Sequence, residues 1–136
     1  MTRRVAAADP VPAGERGATR IADRVVAKIA SQAAREALRG AAEAHRVPPG
    51  RGPHATVSLR RAAEAAERGG PAGEARVRVA VELGYPCDIG AQCHAVRRVV
   101  TERVLALAGM DVPEVSVFVE RLHSVHSQAG EQGRVT

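Results

Sequence analysis

Hydrophobic and polar positions alternate with period two in two stretches of the chain and recur at threes and fours in two others. Val77, Val79, Val81 and Leu83 alternate with Arg76, Arg78 and Glu82, which predicts a half-buried strand over 75–83. Val115, Val117 and Val119 alternate with Ser116, Phe118 and Glu120, predicting a second strand of the same kind. Between them Ile89, Cys93, Val96, Val100, Val104 and Leu107 share one helical face. The punctuation agrees: Pro86 keeps the preceding chain extended, Asp88 is a helix N-cap, Gly109 a left-handed stop, and Pro113 bars resumption.

A further helix is predicted over 19–38, with Thr19 as N-cap and Asp23 in the early turns, where the helix dipole favours a carboxylate. Ala22, Val25, Val26, Ile29, Ala33 and Ala37 form its apolar face, and Gly40 stops it. The proline- and glycine-rich loop over 40–54 has room for a short edge strand. It leads to a strand over 55–60 with Val57 and Leu59 inward. The alanine-rich run 61–68 reads as a solvated helical turn or mobile loop, broken by Gly69, Gly70 and Pro71. The order helix, strand, strand, helix, strand predicts a two-layer α+β sandwich, its sheet mostly antiparallel with both helices on one face. One domain over 17–122 is expected, between a disordered N-terminal tail, 1–16, and a flexible C-terminal tail, 123–136.

Composition limits how that core is built. Hydrophobic residues make up 45% of 136, but Tyr85 and Phe118 are the only aromatics, so the interior must be Val, Ile, Leu and Ala. The net charge of +5 is uneven: residues 1–61 carry 12 basic and 5 acidic side chains, residues 62–136 carry 8 and 10. A basic first half suits an anionic membrane surface, nucleic acid or an acidic partner, and equally a solvated arginine-rich surface. The two cysteines, with no signal-peptide pattern and no long apolar run, point to a reducing, cytoplasmic setting with only peripheral membrane contact.

Little in the chain reads as catalytic chemistry. Cys87, near a helix N-terminus, is the more reactive thiol by position, whereas Cys93 falls on the apolar face as a small core residue. A zinc site would need ligands gathered from His45, His54, His123 and His126, which lie in separate elements or at a solvated strand end. Ser58 and Ser116 lie on strands without a nucleophile elbow, and Glu82 and Glu120 are outward strand residues with no carboxylate partner. No catalytic residue, cofactor or metal is assigned. The string GERG at 14–17 matches a KH-type Gly-x-x-Gly, but precedes a helix instead of joining two. One Tyr and one Phe cannot make a base-stacking platform. Phosphate contacts would therefore fall to Arg60, Arg61, Arg76 and Arg78.

Phe118 stands apart. With Val115, Val117 and Val119 inward, its ring points to the polar face of the sheet beside Ser116 and Glu120. Phe118, Arg76, Arg78, Ser116 and Glu120 are therefore the candidate partner-contact residues. Tyr85, at a strand end, is expected to pack over the loop.

These junctions also resemble those of the alkaline shock protein family of bacterial envelope stress proteins. The resemblance rests on Tyr85 after a long alternating strand, on Ala108, Gly109 and Met110 closing a helix, and on Glu114, Val115, Val117 and Val119 in the last strand. Gly17, Ile21, Ala22, Val25, Val26, Ile29 and Ala30 follow the family's first-helix spacing. Pro86 stands where the family has Gly, and Ala108 where it has Thr. The family's short glycine-valine strand after the first helix is blurred here. The resemblance covers 17–122 and implies a non-enzymatic cytoplasmic scaffold without cofactor or small-molecule substrate. Such a scaffold self-associates, or joins related paralogues, and is held at the inner face of the membrane by a small anchor protein. It would support envelope integrity under stress. The alternative function is a nucleic-acid-binding module using the arginine-rich first half.

Overall fold

The computed structural model of the chain describes residues 13–61 and 73–125, with side chains described from Ala22 to Arg60 and from Gly73 onward. Helix α1 spans Ala13–Arg39 and is followed by a single 3-10 turn, Ala44–Arg46. Strand β1 is His54–Arg61, β2 is Gly73–Gly84, helix α2 is Ile89–Ala108 and β3 is Asp111–His123. The two helices pack on one face of an open, three-stranded sheet of order β1-β2-β3. The fold is α+β, in the element order expected from the hydrophobic pattern.

The sheet is mixed, not mostly antiparallel. β1 pairs antiparallel with β2, His54 opposite Ala80 and Arg60 opposite Glu74. β2 pairs parallel with β3, Val77 opposite Val115 and Val81 opposite Val119. The cause is the connection. A helix laid over the face returns the chain to the end where β2 began, so the next strand runs parallel to it. No strand forms over 41–53, where the short edge strand was anticipated.

Val77, Val79, Val81 and Leu83 of β2 meet Val26, Ala30, Ala33 and Ala34 of α1 and Val96, Val100 and Val104 of α2. The alanines of α1 let its backbone lie close to the layer beneath, and Ala30 and Ala34, absent from the expected face, are fully buried. Val25 turns outward instead, as do Ile89 and Leu107 at the two ends of α2. Helix α2 presents only its middle turns to the sheet, so Ile89 and Leu107 stay in solvent, whereas Val25, in the middle of α1, lies beside the buried stripe of Val26, Ala30, Ala33 and Ala34. Val115, Val117 and Val119 are half-buried against the core, as are Val57 and Leu59 of β1.

Helix α1 begins at Ala13, so Thr19 and the GERG string are helical positions, and neither an N-cap nor a KH loop exists there. The junctions of α2 are as expected. Asp88 is extended and its Oδ1 accepts from the Ala91 amide at 3.0 Å; Gly109 is left-handed, φ 66°, and donates to the Leu105 carbonyl at 3.0 Å. Asp88→Ala should cost about 1 kcal/mol, read from thermal or urea unfolding, because that first-turn amide loses its acceptor. Residues 1–12, the run 62–72 and the C-terminal stretch 126–136, with His126, lie outside the described residues.

Candidate functional site

The alternation that buries the valines of β2 and β3 turns a second set of side chains to the opposite face, which neither helix covers. β1 contributes Thr56, Ser58 and Arg60, β2 Glu74, Arg76 and Arg78, and β3 Glu114, Ser116 and Phe118. Arg78 lies opposite Ser116 and diagonal to Phe118, and its guanidinium carbon sits 4.8 Å from the centre of the Phe118 ring. That is cation–π geometry at a partly solvated site. Ser116 Oγ donates to Glu114 Oε2 at 3.4 Å. A shallow depression of about 370 Å³ runs between these side chains, lined by Thr56, Ser58, Arg76, Arg78, Glu114 and Phe118 among others.

Four of the five candidate contact residues, Arg76, Arg78, Ser116 and Phe118, thus come together. Glu120 does not join the row. Val81 pairs with Val119 and Glu82 with Arg121, so Glu120 is the extra residue of a bulge, exposed and without an opposite number. Phe118 remains 45% exposed even beneath Arg78. Tyr85, at the end of β2, is exposed as well.

The other end of the sheet holds a feature that periodicity could not reveal. Glu82, read as an outward strand residue with no carboxylate partner, receives His123 Nε2 at 2.6 Å on Oε1 and Arg51 Nη1 at 3.5 Å on Oε2. His123, expected at a solvated strand end, is buried. The bulge at Glu120 reverses which face the following side chains take, and this brings His123 against Glu82. The hydrogen bond from His123 is the main cause holding the Glu82 carboxyl below the ordinary Glu range; burial opposes it, and Arg51 and Arg121 reinforce it.

Beside Glu82, the end of α1, the loop over 41–53, the end of β2 and the start of α2 border a cleft of about 860 Å³. Its loop wall is held in place by close approaches. Gly84 runs so near the Glu43 carbonyl that a Cβ there would stand 1.7 Å from the oxygen, and Glu43 itself is left-handed, φ 64°. Arg46 pairs with Glu43, and Arg51 ties the far end of the loop to Glu82. Cys87 borders the cleft, but burial, then the Asp88 carboxylate, push its thiol up, opposite to the lowering its place near a helix start suggested. Cys93 is buried in the core.

Among the described residues no group of three or more His, Cys, Asp or Glu side chains is placed to hold a metal ion. Nor is any described helix long and apolar enough to cross a membrane. His45 extends into solvent near Glu43, and His54 opens β1. Comparison of the chain with family models, with curated proteins and with solved structures finds no match.

Proposed function

We propose that this protein is a non-enzymatic scaffold that works through the bare face of its sheet, self-associating or docking on a membrane-anchored partner to support the cell envelope under stress. The observation that carries the reading is the ring of Phe118, exposed on a face that neither α1 nor α2 covers and stacked against Arg78. Exposed aromatic and arginine side chains are the types enriched where protein interfaces concentrate their binding energy. The face also carries both signs, Arg60, Arg76 and Arg78 with Glu74 and Glu114, which suits a protein surface better than a polyphosphate. The resemblance to alkaline shock proteins supplies the cellular setting: cytoplasmic, peripheral at the inner membrane face, with a small anchor protein or related paralogues as company.

The test is Phe118→Asp, with Phe118→Ala beside it. Sedimentation velocity should show the larger species of the wild type lost, and purification from native cells in mild detergent should no longer bring down its partner. Unchanged assembly and unchanged partners would overturn the assignment of this face. Nucleic acid recovered with the wild type, released steeply by salt and by loss of Arg24, Lys28, Arg35 and Arg39 on α1, would favour the binding-module alternative instead.

A further inference from the structure

The cleft at the end of the sheet is remote in role from the Phe118 face and has the makings of a ligand site. Its volume, about 860 Å³, lies within the range of roughly 300–1,000 Å³ typical of small-molecule sites. Its lining is of two kinds. Leu38, Val47, Pro48, Pro53 and Leu83 present apolar surface, while Arg35, Arg39 and Arg51 bring guanidinium groups to the same space.

The charges are unequal in their circumstances. Among the described residues Glu82 is the only carboxylate on the cleft wall, and both its oxygens are engaged, by His123 and by Arg51. Arg35 and Arg39 make no ion pair among the described residues. They stand one turn apart on α1, a spacing at which like charges are unfavourable and an anion between them favourable, and the nearby Glu36 carboxylate is engaged on both oxygens by Arg103. Arg35 is also positioned. Its guanidinium lies over the loop backbone at Gly52, where a Cβ would come 2.7 Å from Nη2, so glycine there makes room for the group.

We propose that this cleft binds a small amphipathic anion, its carboxylate, sulfonate or phosphate between Arg35 and Arg39 and its apolar body against Leu38, Val47 and Pro53. Guanidinium groups suit such anions because they donate two parallel hydrogen bonds to one acid group. The site does not depend on the scaffold reading.

The experiment titrates the ¹⁵N-labelled full chain with octanoate, with 8-anilinonaphthalene-1-sulfonate and with neutral 1-octanol, following backbone amides by NMR. Octanoate or the sulfonate should shift Gly50, Gly52, Gly84 and Cys87 saturably, with octanol at least about tenfold weaker, the loss expected when a charge-assisted hydrogen bond goes. Arg35→Gln with Arg39→Gln, both exposed positions whose change leaves the core intact, should weaken anion binding by the same factor. Phe118→Asp should bind as the wild type does. The proposal is overturned if neither anion saturates in the millimolar range, if octanol binds equally well, if inorganic phosphate alone matches octanoate, or if the double variant binds undiminished with a native spectrum.

Discussion

Gly84→Ala should destabilise the fold by about 3 kcal/mol, at the upper end of what overpacking usually costs. The added methyl would stand 1.7 Å from the Glu43 carbonyl oxygen and 2.5 Å from its carbon, so backbone, not a pliant side-chain tip, has to give way. Glu43 has little room to yield. It is left-handed, is held by Arg46, and accepts the Arg46 amide at 3.0 Å. Urea unfolding should show a lower midpoint with an unchanged slope, and amide exchange over 41–53 should quicken as the loop lifts from β2. A midpoint within experimental scatter of the wild type would refute the close approach. Gly90→Ala supplies the contrast. There a Cβ would meet only Asp88 Oδ1, at 3.7 Å, and removing a helical glycine should stabilise by roughly 0.5–1 kcal/mol.

The second large effect is expected at Glu82. Glu82→Ala takes the acceptor from buried His123 and frees Arg51 from the sheet end, a loss of about 2 kcal/mol at neutral pH. Glu82→Gln keeps an acceptor but not the charge, and isolates the pH-dependent part. Because the folded carboxyl titrates below its unfolded value, its charge adds stability above the ordinary Glu pKa of about 4.3, and that stability is lost as pH falls through the folded value. The stability gap between wild type and Glu82→Gln should therefore be full at pH 6–7 and close on acidification below about pH 4. A gap that holds constant down to pH 3 would mean the charge contributes nothing.

The contrast between these residues and the legible ones is physical. Asp88, Gly109, the alternation of β2 and the stripe of α2 are governed by neighbours within a few positions, so their roles could be read along the chain. Gly84 and His123 are governed by residues far away in sequence, Glu43 and Glu82, and nothing local at either position announces the meeting. His123 was hidden further by the bulge at Glu120, since period-two reading fails beyond any inserted residue. The outer face was legible because it needs only alternation. Phe118, Arg76, Arg78 and Ser116 followed from it, while Glu120, at the insertion itself, did not. The cleft depends on a loop meeting two helix ends, and only its arginines and prolines were visible beforehand. The parallel pairing of β3 was implicit in the intervening helix, and the preference for an antiparallel sheet ignored that crossover.

One consequence of the valine-built core concerns how this protein must be watched. With no Trp and with its only Tyr and Phe exposed, the chromophores report the surface: Tyr85 43% exposed at the end of β2, Phe118 45% exposed on the open face. Tyrosine emission will follow events at the strand end, and near-ultraviolet dichroism will be faint even when packing is intact. A partner settling over Phe118 would alter optical signals while the interior stayed unchanged, and a loosened interior could pass unseen. Transitions by tyrosine emission and by far-ultraviolet dichroism that fail to coincide would then mark local fraying at Tyr85, not a folding intermediate. The valine methyl resonances of Val79, Val96 and Val100 are the probes that look inward.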